Sequence, residues 1–207
     1  MNINNCITSS CLIVNSTVQK NGAVIFTNDM VAPADFLLSV YQNFQLNYPK
    51  FYKMDVLSKL GWLAAEVLLM DGFNRTAYAP TEVGIVLSNA NSSLDSDLKY
   101  MKSVADIASP ALFVYTLPNI MVAEIGIRYG FKGEVAFFIS EKFDSAFIAT
   151  YVSNLFSNNN IKCCICGWGD VLGNDYKATL FLVEKEQKEG AVLFSESNMD
   201  SIIGGDK

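Results

Sequence analysis

The sequence predicts an α/β domain built on a largely parallel sheet, and three observations carry that expectation. Short apolar runs alternate with segments of helical spacing, in the order βαβαβαββ. Hydrophobic residues make up 51% of the 207 and charged ones 17%, a balance suited to a chain that buries a substantial core. No internal repeat or linker divides the chain, so residues 1–195 are expected as one domain, followed by a flexible polar tail over 196–207.

Taken in order, residues 2–14 (NINNCITSSCLIV) give the opening strand. Residues 14–28 follow as an irregular or hairpin segment, with Asn21-Gly22 as the turn signal. Asp35 can cap a helix that reaches about Tyr48. Phe36, Val40, Tyr41 and Phe44 recur along it at helical spacing, and Pro49 ends it. The clearest helix covers residues 53–72, with Asp55 at the N-cap and Gly72 just beyond the end. Its interior is apolar on nearly every face, which puts it inside a larger body or under a partner. Residues 82–90 (EVGIVLSNA) form the next strand. Ser92 or Ser93 then opens a polar helix whose acidic first turn suits the helix dipole.

Residues 109–145 are the most informative stretch. Pro118 suits a first helical position, where its missing N–H costs nothing. Ile120, Met121, Ile125 and Ile127 supply apolar side chains over three turns, and Gly130 can end the helix in a left-handed conformation. Phe131-Lys132-Gly133 makes a turn, and VAFFI (135–139) is a short run fit for a fully buried strand. Asp144 or Ser145 can cap a helix over 144–156, which the polar run 157–160 stops. Residues 161–170 are a strand, 171–177 a loop, and 178–187 the last strong strand.

Several function classes fall away. A net charge of −6 leaves no nucleic-acid footprint. No apolar run reaches the roughly 20 residues that span a bilayer, and no charged n-region with an apolar h-region opens the chain, so a cytoplasmic protein is expected. There is no GxxxxGK[ST] loop, GxSxG elbow or HExxH pair. Cys163, Cys164 and Cys166 crowd together in a way that suggests a metal or redox site. Adjacent strand residues point to opposite faces, however, and the chain has no histidine. The run reads as small apolar residues of a buried strand, and no metal is expected.

The segment LPNIMVAEIGIRYGFKG (117–133) closely resembles the one that precedes the active-site cysteine of β-ketoacyl-ACP synthases, the thiolase-like condensing enzymes. Fainter likeness covers residues 3–194. It includes Lys53-Met54-Asp55 at the start of the long helix, and Gly167, Gly169 and Asp170 set against the family's Gly-Gly-Ala-Glu strand end. The resemblance implies one thiolase-like half: a mixed five-stranded sheet of order 3-2-1-4-5, last strand antiparallel, with helices on both faces. A ketosynthase carries two such halves.

In that family the strand after the segment delivers a cysteine onto the N-terminus of a buried helix, and histidines act from the second half. Here the cysteine's place falls at Lys142, beside Glu141, and no cysteine lies between Cys11 and Cys163. A lysine is nucleophilic where burial or a nearby cation lowers its pKa, and Glu141 works in the opposite direction. The resemblance therefore implies no catalytic residue and no cofactor. It marks Pro118 and Asn119 as candidates for the gate of an acyl pocket. The local alternative, with Pro118 starting the helix and Asn119 satisfying nearby backbone, stands equally beside that. It also marks Val135, Phe137, Phe138 and Ile139 as a dimer strand, since an apolar sheet edge invites pairing unless covered.

The partner implied is an active ketosynthase in a heterodimer, or a second copy in a homodimer. The apolar helix over 55–71 offers it further surface, and acyl carrier protein, itself acidic, is met only indirectly. The chain is similar in this respect to chain-length factors and to the small accessory partners of aryl-polyene and flexirubin pigment synthases. Two functions follow: a non-catalytic accessory subunit, or a ketosynthase (acyltransferase) fragment with an atypical nucleophile or completed by a separate C-terminal half. A homodimeric acyl-chain-binding protein is a third.

Overall fold

The computed structural model describes residues 5–29, 32–158, 160–185 and 190–204. Parts of four expected segments lie outside them: 2–4 of the first strand, Asn159 of the polar stop, 186–187 of the last strand and 205–207 of the tail.

The chain opens with a meander, β1 (Cys6–Val14), β2 (Thr17–Lys20) and β3 (Ala23–Thr27). Both of its turns are two residues long with positive φ throughout: Asn15 and Ser16 at 49° and 59°, Asn21 and Gly22 at 51° and 78°. That is the hairpin turn whose twist matches the strands, so the Asn-Gly signal is read correctly. Next come α1 (Pro33–Asn43), α2 (Val56–Leu69), β4 (Val83–Asn89), α3 (Leu94–Val104), α4 (Pro110–Phe113) and α5 (Ile120–Tyr129). The chain continues through β5 (Val135–Ile139), α6 (Ser145–Asn158), β6 (Cys163–Leu172), β7 (Asp175–Glu184), β8 (Val192–Leu193) and α7 (Glu196–Gly204).

These strands form one mixed sheet of order β3-β2-β1-β7-β6-β4-β5, with β8 on β1. β4 runs parallel to β5 and β6, while β7 is antiparallel to both β6 and β1. The expected mixed α/β half is present and its last strong strand is antiparallel. The order differs at the first strand, which lies outside the antiparallel strand instead of between the second and fourth. Two contacts impose this. Val83 to Ser88 of β4 pair directly with Cys163 to Trp168 of β6, leaving no slot between them. β6 then returns as β7 through a two-residue turn with Gly173 at φ 62°, so the expected loop over 171–177 is mostly strand. The free edge of β7 remains for β1, which pairs along it from Cys6 to Val14. Gly167 fits this tight ladder as only glycine can, because its φ is 145° and a Cβ there would fall 2.0 Å from the Thr179 carbonyl oxygen.

A core lies on each face of the sheet. On one, α2 packs against β1, β6 and β7 and against α1 and α5. Its residues Leu60, Trp62, Leu63, Ala64, Ala65 and Val67 are fully buried, so this helix is the centre of the chain's own core and not a surface for a partner. Asp55 caps it as expected, its Oδ1 accepting from Ser58 N at 2.9 Å. The other face is covered by α6 and α7, with Ile148, Val152, Phe156 and Met199 buried over Val86, Cys164 and Cys166. Cys163 belongs to the first core, as strand alternation requires.

Three local expectations are revised. α1 starts at Pro33 with Ala32 as its N-cap, so Asp35 lies in the first turn, and the helix ends at Asn43. Pro118 precedes α5 by two residues, its carbonyl accepting from Met121 N at 3.4 Å. Residues 196–204, expected to fray, form α7: Met199, Ile202 and Ile203 recur at helical spacing and bury Met199 completely.

Candidate functional site at the carboxyl ends of the parallel strands

In open α/β sheets, ligands gather where parallel strands end and loops lead into helices. Here β4, β5 and β6 end together, and their loops are tied into one network. Asp170, near the end of β6, accepts from the backbone N–H groups of Ala90 and Asn91 at 3.2 and 3.0 Å and from the Asn91 amide at 2.6 Å. Asn89 closes the same turn on Ser92, which sits at φ 52°. Ser140, after β5, donates its backbone N–H to the Asn89 carbonyl at 2.9 Å. Both Asp170 oxygens are engaged, so this carboxylate shapes the β4–α3 turn.

Lys142 and Glu141 are exposed in the bend between β5 and α6. The Lys142 carbonyl accepts from Ser140 Oγ at 2.9 Å. Asp144 caps α6, its Oδ1 taking Phe147 N at 2.9 Å. A helix N-terminus favours one negative charge, and here a carboxylate supplies it. All five cysteines are buried. Burial pushes the Cys11, Cys164 and Cys166 thiols up, away from the thiolate that a nucleophile needs.

Asn119 is exposed at the N-cap of α5, without a side-chain cap bond, and Pro118 is half-buried beside it. Among the described residues, no hydrogen bond or ion pair joins either to Glu141 or Lys142. The β5 candidates divide in two. Phe137 packs toward the α2 core. Phe138 packs edge-on against Phe147 and Tyr151 of α6, at 4.8 and 5.0 Å between ring centroids. Val135 and Ile139 stay about half exposed, and β5 forms one edge of the sheet, so the strand is not fully buried. A polar groove of about 550 Å³ opens nearby between the β1–β2 turn and the β6–β7 hairpin, lined by Asn15, Asp29, Trp168, Asp170 and Tyr176, and no expected site residue reaches it.

Sequence reasoning missed Asn89 and Asn91, and it missed the hold of Asp170 on their turn. Asn and Asp clustered at strand ends are a turn signal in themselves, but the pairing spans 79 residues of sequence. No helix among the described residues is long and apolar enough by itself to cross a membrane.

No family model matches the sequence, and no curated protein matches it. Solved structures do share its fold. The ishigamide ketosynthase/chain length factor superimposes with a TM-score of 0.63 at 16% identity, over 92% of this chain and 64% of that one. AntDE:AntF, a type II polyketide synthase acyl carrier protein in complex with its ketosynthase bound to the hexaketide, gives 0.61 at 16% identity, over 87% and 62%. The ketosynthase ApeO in complex with its chain length factor ApeC from Xenorhabdus doucetiae gives 0.57 at 10% identity, over 88% and 79%. The chain thus spans less than two thirds of the first two chains it matches. It has the thiolase-like fold found in ketosynthases and chain-length factors.

Proposed function

We propose that this chain is a non-catalytic, chain-length-factor-like subunit that pairs with an active ketosynthase and shapes the pocket for its growing acyl chain. The synthase is of the fatty-acid or polyketide type, for instance an aryl-polyene or flexirubin system, and the proposal places it in the cytoplasm. The observation that carries this reading is the start of α6. Lys142 stands where the family resemblance puts the nucleophile, and the Asp144 carboxylate already occupies the helix N-terminus. A second anion there would be opposed by a like charge. The buried cysteines, the lack of any histidine in the sequence and the ketosynthase-like fold support the same reading. The free β5 edge gives a partner a place to add, with Val135 and Ile139 half exposed on it. With a net charge of −6, direct docking of acidic acyl carrier protein is unfavourable, so the partner supplies that face.

The purified chain, given acyl- and malonyl-loaded carrier protein, is expected to yield no ketoacyl product and no adduct on Lys142 by mass spectrometry. Co-expressed with a ketosynthase from the same genome, it is expected to elute as a mixed dimer, and Val135→Asp with Ile139→Asp to release it. Product from the chain alone, or a stable acyl-Lys142, would establish instead a ketosynthase fragment with an atypical nucleophile.

A further inference from the structure

The two turns of the opening meander share a geometry and differ in chemistry. Asn15-Ser16 and Asn21-Gly22 are both two-residue turns with positive φ at each position. An asparagine side chain can condense with the backbone nitrogen of the next residue, and a glycine there crowds that nitrogen least. Gly22 has open space where a Cβ would stand, with no atom within 4 Å. Asn21 and Gly22 are exposed, and among the described residues no hydrogen bond engages the Gly22 N–H. At the other turn the corresponding nitrogen is occupied, since Ser16 N donates to the Tyr176 hydroxyl at 3.1 Å.

Asn21 also extends the β1–β2 pairing by one rung. Its N–H donates to the Ser10 carbonyl at 2.9 Å, and its Oδ1 accepts from Ser10 N at 2.8 Å. The side chain thus stands in for a strand carbonyl and is held against β1. Closing a ring onto Gly22 N requires the carboxamide to leave Ser10 first. A bond at the end of a hairpin is released by local opening, which needs far less than global unfolding.

We infer that Asn21-Gly22 is a self-modifying site, where Asn21 deamidates through a cyclic imide at a rate set by opening of the β1–β2 hairpin. Gly22 N attacks Asn21 Cγ. The N–Cγ bond forms, the Cγ–Nδ2 bond breaks, and Nδ2 leaves as ammonia with the Gly22 proton. Water then opens the ring at either carbonyl. Opening at Cγ leaves aspartate on an unchanged main chain, and its Oδ1 again accepts from Ser10 N. Opening at the main-chain carbonyl leaves isoaspartate, which carries one more atom in the main chain. Lys20 and Ala23 are register partners across this turn, and a longer link between them breaks the two-residue geometry. Oδ1 has then become a main-chain carbonyl oxygen, so the turn and the Ser10 bond are not kept together. The change is one-way and accumulates with the time the hairpin spends open.

The test ages the full chain in mildly alkaline buffer, native and in unfolding urea. Peptide mapping, ammonia release and isoaspartate methylation follow the product. Hydrogen exchange of the Ser10 amide is measured in parallel, since that N–H reports the bond that must break. The expected result is modification at Asn21 ahead of Asn15. It should be slower in the native chain than in urea by the same factor that protects the Ser10 amide. Val18→Ala, which loosens β2 at a fully buried position, should speed modification and Ser10 exchange together. The isoaspartate fraction should melt lower than fresh protein, while Asn21→Asp should keep the melting temperature. Equal rates in the native and unfolded chains would overturn the inference. So would native Asn15 reacting as fast as Asn21, or a Val18→Ala chain in which Ser10 exchange rises and modification does not.

Discussion

Arg128 on α5 grips Glu66 on α2 with two nitrogens, Nε 2.7 Å from Oε1 and Nη2 3.3 Å from Oε2. The guanidinium also lies over the rings of Tyr48 and Trp62, at 5.1 and 5.7 Å from their centroids. Glu66 is nearly buried, so removing its partner strands a charge in the α2–α5 seam. Arg128→Ala should cost about 2–4 kcal/mol in urea unfolding, as loss of one member of a buried pair does. Arg128→Lys should recover part of that, since it keeps the charge but not the fork. A loss under 0.5 kcal/mol in the alanine variant would mean the pair is solvated.

Asp55 serves two helices at once, capping α2 through Oδ1 and holding Ser96 of α3 through Oδ2. Asp55→Ala should lower global stability by about 1–2 kcal/mol, the range of a lost cap. It should also speed amide exchange in α3 more than Ser96→Ala does. Equal exchange in the two variants would show that the cap alone matters.

Burial, aided by the Glu124 charge, raises the Tyr115 hydroxyl to about 12, and burial also raises Tyr129. In the unfolded chain both ionise near 10. Between those values the folded state binds more protons than the unfolded one, so stability falls as pH rises. The contribution is intact below pH 10, declines through the window to about 12, and for Tyr115 falls by at most about 1.4 kcal/mol per pH unit. Tyr115→Phe should flatten that decline in urea titrations at pH 9 to 12. An unchanged slope would place the hydroxyl in water.

Local chemistry was legible where one or two residues decide the backbone. Asn21-Gly22 marked its hairpin, Asp55 its cap, and Gly130 the left-handed end of α5, at φ 68°. What failed depended on distant partners. No property of residues 6–14 says that they will lie beside β7, because that follows from the β4–β6 pairing and the tight β6–β7 turn. α7 was hidden by its polar composition, although Met199, Ile202 and Ile203 carry a helical period. At the candidate site, the bend holding Lys142 and the Asp144 cap were readable, since a strand, a polar break and a helix follow in order. The outward apolar stripe of α3, made by Leu94, Leu98, Met101 and Val104, was not. Its orientation is set by Ser93, Asp95 and Ser96, whose partners Thr116, Gly173 and Asp55 lie in other elements.

The place of β1 also sets a schedule for synthesis. Thr8 Oγ1 donates to Glu184 Oε2 across 176 residues, and the ladder around it closes only when β7 exists. At roughly 5–20 residues per second, a ribosome needs on the order of 10–30 s to get from one to the other. Through that interval β1 can lean on β2, which pairs with Cys11 to Val14 and is itself backed by β3, while Cys6 to Ser10 wait for β7 and β8. Long-range pairing of this kind folds slowly and leaves apolar strand exposed to other nascent chains. The β1–β2–β3 meander, with its Asn15-Ser16 and Asn21-Gly22 turns, is thus the only part of this ladder built from neighbouring residues among those described.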